Sequence, residues 1–150
     1  MPQSLARVLV HLVFSTKNRV PVLSPEIRAE LHAYLSVVLN NDGCTSLRVG
    51  GIEDHVHLCF ALSRTRTIAQ VVENVKTSSS KWLKTKGATF ADFHRQNGYG
   101  IFSVSQSHVD EVVNYILRQE EHHAGETFQQ ELRRLFDHEK IAYDERYVWD

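Results

Sequence analysis

The chain has no long apolar run, few cysteines and no surplus of either charge. No stretch approaches the roughly 18 consecutive apolar residues that a membrane-spanning helix needs, so no span is expected. The apolar run in MPQSLARVLVHLVF is interrupted by a histidine and flanked by charge, with no small-residue cleavage site after it. It reads as a strand and not as a signal peptide. Two cysteines, Cys44 and Cys59, are too few for a disulfide framework, so a reducing cytoplasm is the expected compartment. Basic and acidic residues number 17 and 18, for a formal net charge of -1. The broad basic surplus that usually marks nucleic-acid binding is missing, and any such binding has to use a local basic surface. Internal repeats, low-complexity segments and long linkers are absent as well.

What is present fits one domain over residues 1–150. A hydrophobic share of 42% and a charged share of 23% exclude the disordered and fibrous classes. Val8 to Ser15 is apolar and β-branched, and reads as a buried strand. Ser24-Pro25 starts a helix, with Ile27, Leu31, Tyr34, Leu35 and Val38 on one stripe and Asn40 to Gly43 as its stop. Ser46 to Gly51 and His55 to Leu62 read as two further strands. In the second of these, Val56, Leu58, Phe60 and Leu62 point one way and His55, His57, Cys59 and Ala61 the other. A long helix follows, with Ile68, Val71, Val72, Val75, Ser79, Trp82 and Leu83 on its apolar side. Tyr99 to Ser105 is a fourth strand, and Val109 to Glu121 and Thr127 to His138 are helices. This order predicts an α+β fold: a ferredoxin-like (RRM-like) sandwich, a four-stranded antiparallel sheet with helices on one face plus C-terminal helices. On that reading the His55/His57 side of the sheet faces away from the helices, where a ligand can reach it.

Four features carry chemistry. His55 and His57, two apart on a strand, place both imidazoles on one face, about 6.5–7 Å apart along the chain, where one metal ion can meet both. Two histidines leave a metal site open, which suits catalysis, although such pairs also occur as plain surface decoration. On the helix VDEVVNYILRQEEHH, Val112, Val113, Ile116 and Leu117 form the core side, while Tyr115, Gln119 and His122 cluster on another. Gln119 offers a carbonyl oxygen as a further ligand for a hard metal, or is an ordinary exposed polar residue. Within KTSSSKW and just beyond it, Lys76, Ser80, Lys81 and Lys84 lie off the apolar stripe, as phosphate contacts or as a solvated helix face. Lys17 and Arg19, in FSTKNR, close the first strand with positive charge.

Together these pieces resemble the single-tyrosine HUH transposases of the smallest bacterial insertion sequences, the IS200-like proteins and their REP-associated relatives. The stretches that carry the resemblance are HLVFSTKNRVPVL, GGIEDHVHLCFAL, KTSSSKWL, NGYGIFSVSQS, VVNYILRQEEHH and FQQELRRLF followed by IAYDERYVW. The combination, in that order, is far more specific than any one of them. The resemblance implies that His55 and His57 are metal ligands, that Gln119 is a further ligand, and that Tyr115 is the nucleophile. It also implies a Mg²⁺ or Mn²⁺ cofactor, a homodimer and single-stranded DNA bearing a hairpin as partner. The implied activity is DNA transposition: metal-dependent cleavage and rejoining through a 5′-phosphotyrosine at Tyr115. Arg95, in FHRQNGYG, stands where relatives commonly carry a tryptophan, and is a DNA-binding candidate in its place. HEKIAYDE lacks a glycine often found before the isoleucine.

Other readings exist. A domesticated, non-catalytic single-stranded nucleic-acid binder agrees with the neutral charge and with Arg95, but has no need of His55, His57, Tyr115 and Gln119 together. A histidine-triad nucleotide hydrolase needs a third histidine where Cys59 stands. A ferredoxin-like RNA binder lacks its stacked strand aromatics.

Overall fold

A computed structural model describes residues 2–87, 90 and 98–149. The strands are β1 (Leu9–Ser15), β2 (Thr45–Ile52), β3 (His55–Ala61) and β4 (Gly100–Val104). The helices are α1 (Pro25–Asn41), α2 (Ile68–Lys84), α3 (Val109–Leu117), α4 (Gln119–His122) and α5 (Phe128–His138). Local chemistry sets the helix starts. The Ser24 hydroxyl accepts from the Ile27 amide ahead of Pro25, and Thr67 and Thr127 form capping boxes with Gln70 and Gln130.

The sheet order is β2-β3-β1-β4 with every neighbouring pair antiparallel, the expected ferredoxin-like topology. One face packs on α1 and α2. Val10, Leu12, Phe14, Val56, Leu58 and Phe60 meet Leu31, Leu35, Val71, Val72, Val75 and Leu83 there in the main core. Among the described residues no helix is long and apolar enough to cross a membrane.

The second face departs from the expectation that it lies open. Leu9 and Cys59 pack with Val109 and Ile116 of α3, and Val13 and Phe102 pack with Phe128, Leu132 and Phe136 of α5. The C-terminal helices thus form a third layer, and His55 and His57 are fully buried beneath it. The reason lies in the strands: Leu9, Val13 and Phe102 give this face enough apolar surface to require a cover.

Two further details differ. The expected helix over Val109 to Glu121 breaks at Arg118 (φ -97°, ψ 23°), so the segment carrying Gln119 is a separate turn. Leu117, expected on the core side, is exposed, while Ile116 is buried. One glycine fixes the approach of this helix and a second shapes the hairpin beside it. A Cβ on Gly50 would stand 2.7 Å from Ile116 Cγ2 and 2.8 Å from the Ile116 carbonyl oxygen, so the end of α3 rests directly on the backbone of β2. Gly51, at φ +150°, turns the β2–β3 hairpin so tightly that a Cβ there would meet the His55 carbonyl at 2.2 Å.

Candidate functional site

The register pairs Val13 with His57 and Ser15 with His55, so both histidines sit mid-sheet and aim into the layer under α5. Their rings lie 5.0 Å apart. Each has its Nδ1 engaged on the sheet side. Asp54 Oδ1 is 2.7 Å from His55 Nδ1, and His11 Nε2 is 2.8 Å from His57 Nδ1. Burial, reinforced by His57, lowers the pKa of His11 to about 3 and keeps it neutral, and its Nε2 shares one proton with His57 Nδ1 in a direction set by the His57 tautomer. Both partners therefore point the two Nε2 atoms inward, the outer-shell arrangement that orients histidine ligands.

Inward of them stands Glu131, on α5 and fully buried. His55, His57 and His123 place their Nε2 atoms 3.2, 2.9 and 3.1 Å from Glu131 Oε1. On the other carboxylate oxygen, Tyr115 donates its hydroxyl and Gln119 donates Nε2 at 3.0 Å. Gln119 Oε1 also faces His55 Nε2 at 3.0 Å. Burial alone would raise the Glu131 pKa, but the surrounding imidazoles overcome it and hold the carboxyl well below its usual range. Burial works against charge on both sheet histidines. His57 stays below its ordinary value, whereas hydrogen bonds to Asp54 and Glu131 lift His55 to about 9. Burial and the Glu131 charge push the Tyr115 phenol well above its ordinary value, with Arg134 opposing.

His55, His57 and Glu131 each offer one ligand atom, all within 4.8 Å of one another, and this cluster could hold a metal ion. Two imidazole nitrogens and a carboxylate oxygen with oriented outer partners suit a divalent cation.

A model of the family described as "Transposase IS200 like" matches residues 4–119. The chain belongs to the IS200-like transposase family. The family places it among DNA-processing enzymes. A comparison with curated proteins found no match. Among solved structures, the fold is similar to that of a protein from Deinococcus radiodurans R1 assigned as a transposase. That pair is 21% identical with a TM-score of 0.62, over 79% of this chain and 98% of the other. It is also similar to a REP-associated tyrosine transposase bound to a REP hairpin, 10% identical with a TM-score of 0.59, over 82% of this chain and 73% of that one. At these identities the two structures speak for the fold alone.

The four residues singled out as chemical, His55, His57, Tyr115 and Gln119, meet in one network. The basic candidates do not. Lys76 is buried on α2, where its Nζ donates to the Gly98 carbonyl at 2.7 Å and lies over the Phe14 and Tyr99 rings. Ser80 is also buried. The solvated face expected for both is instead packed, because α2 presses that side against β1 and the segment before β4. Lys81 and Lys84 are exposed, but on the helix layer across the sheet from Tyr115. Lys17 and Arg19 form a turn after β1, at the His55 end of the sheet, with the Arg19 guanidinium over the Trp149 ring. Arg95 lies outside the described residues.

Glu131, His123 and His11 were not singled out by sequence reasoning. For Glu131 a signal existed. Phe128, Leu132, Leu135 and Phe136 form a helical apolar stripe, and Glu131 falls inside it, a carboxylate where only a paired one is tolerated.

Proposed function

We propose that this protein cuts and rejoins single-stranded DNA through a covalent phosphotyrosine at Tyr115, beside a divalent cation, Mg²⁺ or Mn²⁺. His55, His57 and Glu131 would hold the cation, with the Gln119 carbonyl oxygen next to them. The observation that carries this reading is the convergence of Tyr115, both histidines and Gln119 on one buried carboxylate.

The chemistry follows from the atoms. Tyr115 Oη attacks the phosphorus, a Tyr–O–P bond forms, and the bond from phosphorus to the 3′ oxygen breaks. The phenol proton passes to Glu131 Oε2, which already accepts the Tyr115 hydroxyl, and the departing 3′ oxygen takes its proton from water on the open side. The 5′-phosphotyrosine conserves the phosphodiester energy, so a second 3′-hydroxyl can reverse the step and join a new strand. When bound, a divalent cation supplies Lewis-acid polarisation of the scissile phosphate and offsets the Glu131 charge. With a cation bound, His11 and Asp54 would accept from the two Nδ1 atoms and so hold the ligand imidazoles in the required tautomer.

The preferred DNA is single-stranded with a hairpin, a reading supported by the family and by the hairpin-bound neighbour. A homodimer, expected from the resemblance, is not needed to bring the tyrosine to the histidines, because Tyr115 reaches Glu131 within one chain.

The test is incubation of the purified protein with labelled single-stranded DNA from the flanks of its own gene, with Mn²⁺, Mg²⁺ or chelator. A metal-dependent, denaturation-resistant adduct that disappears in Tyr115→Phe is the expected result. Binding with no adduct under any condition would instead favour a non-catalytic binder.

A further inference from the structure

Arg134 is the cation beside the candidate nucleophile, and nothing in the sequence pattern set it apart. Its Nη2 donates to Tyr115 Oη at 2.8 Å, and its guanidinium lies over the Tyr115 ring, 5.6 Å from the centroid. Glu126 grips it from behind, accepting from Nε at 3.0 Å and from Nη2 at 3.1 Å. Two planar bonds to one carboxylate fix the plane of the guanidinium. Nη1 has no hydrogen-bond partner among the described residues.

The surroundings decide what this free end can meet. Tyr115 Oη is enclosed on its inner side by Glu131, which is fully buried. The outer side opens to a cavity of about 520 Å³ lined by Tyr115, Arg134, His11, Phe102 and His108. The Arg134 side chain is half exposed, so it faces this opening while Glu131 does not. A phosphodiester that reaches Tyr115 Oη has to come from the open side. At an attack distance of about 3–3.5 Å its non-bridging oxygens fall within reach of a guanidinium already bonded to the attacking oxygen.

Resting on the reading of Tyr115 as nucleophile, we propose that Arg134 binds the scissile phosphate, with the Nη1 hydrogens donated to a non-bridging oxygen. The residue then does two things at one place. It orients the phenol through Nη2, and it neutralises the phosphate charge that grows as Tyr115 Oη bonds to phosphorus. Arginine suits this better than lysine, because its fork is held by Glu126 at one edge and presents donors at the other.

The experiment compares two single-stranded substrates from the gene's flanks, both cut at the same mapped position. One carries an ordinary phosphodiester there, the other an uncharged methylphosphonate. Adduct formation with Mn²⁺ is followed for wild type, Arg134→Ala and Arg134→Gln, with Tyr115→Phe as the zero. On the phosphodiester, loss of Arg134 should slow the adduct by about 100-fold or more. On the methylphosphonate the same variants should fall within about tenfold of wild type, because the charge that Arg134 neutralises is gone. The ratio of the two substrates within one variant is insensitive to the fraction of protein that is folded. An equal penalty on both substrates, or none on either, overturns the assignment. Absence of any wild-type adduct on the phosphodiester would overturn the reading of Tyr115 itself, and the role of Arg134 would fall with it.

Discussion

Replacing Glu131 by glutamine keeps the side-chain shape and removes its charge. Three imidazole nitrogens surround Oε1 at 2.9 to 3.2 Å, and Tyr115 and Gln119 donate to Oε2. An amide supplies one acceptor oxygen and one nitrogen that only donates, so one side of this network must break or reverse. His55, held at about 9 in part by Glu131, also loses a buried counter-charge. Removing one partner of a buried ion pair costs about 3–5 kcal/mol, a large share of a total on the order of 5–15 kcal/mol. For a chain of this size each kcal/mol moves the midpoint by about 2–4 °C, so Glu131→Gln should melt roughly 6–20 °C lower than wild type at pH 7 in chelator. The sign with pH is also fixed. The folded carboxyl is depressed, so its stabilisation is present above the unfolded value of about 4.3 and is lost as pH falls below it. The gap between wild type and variant should therefore shrink by about 1.4 kcal/mol per pH unit below pH 4. Urea unfolding of both proteins from pH 7 to pH 3 measures this. A variant within about 1 kcal/mol of wild type at pH 7, or a gap that does not close on acidification, would refute the reasoning.

Further predictions rest on other contacts. Gly50→Ala forces the end of α3 away from β2, and with it Tyr115 and Gln119, so the adduct rate should fall about 100-fold with a smaller change in melting temperature. An unchanged rate would show that this contact does not place the tyrosine. His55 is raised to about 9 in the folded state, so in chelator its stabilisation, on the order of 3 kcal/mol, is complete below pH 6.5 and lost as pH rises through 9. Urea unfolding from pH 6 to pH 10 should trace that loss, and His55→Asn should flatten it. Lys76→Met should leave the salt dependence of single-stranded DNA binding unchanged, because its ammonium is spent on the Gly98 carbonyl; a slope smaller by about one would mark Lys76 as a phosphate contact after all. Phe128→Ala removes a buried ring that packs against His55 at 4.6 Å, and should cost about 3–5 kcal/mol in urea unfolding.

The sheet was legible because its signals are local. Period-two alternation in residues 55–62, the Ser24-Pro25 start and the apolar stripe of α2 each speak for themselves, and the order of elements yields the topology. The third layer was not legible to the same degree. Which face α3 and α5 cover depends on packing between residues far apart in the chain, such as Val13 with Leu132 and Cys59 with Ile116, and no local period states it. That one gap explains the main corrections. Once α5 is laid over β1 and β3, the histidines are buried and Glu131 is delivered between them. The burial of Lys76 was hidden for a related reason. Its position on the helical wheel lies off the stripe, yet β1 and the segment before β4 extend the apolar wall around it, and a lysine stem can follow that wall to a carbonyl.

The family match ends at residue 119, yet α5 lies at residues 128–138 and brings both Glu131 and Arg134 to Tyr115. These two residues have opposite effects on the phenol. Glu131 and burial hold it protonated, and Arg134 opposes them. In the resting arrangement the carboxylate prevails, so the hydroxyl remains a hydrogen-bond donor and a weak nucleophile. On the proposed reading, positive charge near Glu131 shifts that balance toward the phenolate, and a phosphate at Arg134 supplies the phosphorus to attack. A divalent cation would compensate the carboxylate from the histidine side, and the phosphodiester would arrive at the one guanidinium edge still open to it. Attack then depends on cation and DNA both being present, and a residue pair three positions apart on one helix is sufficient to couple them.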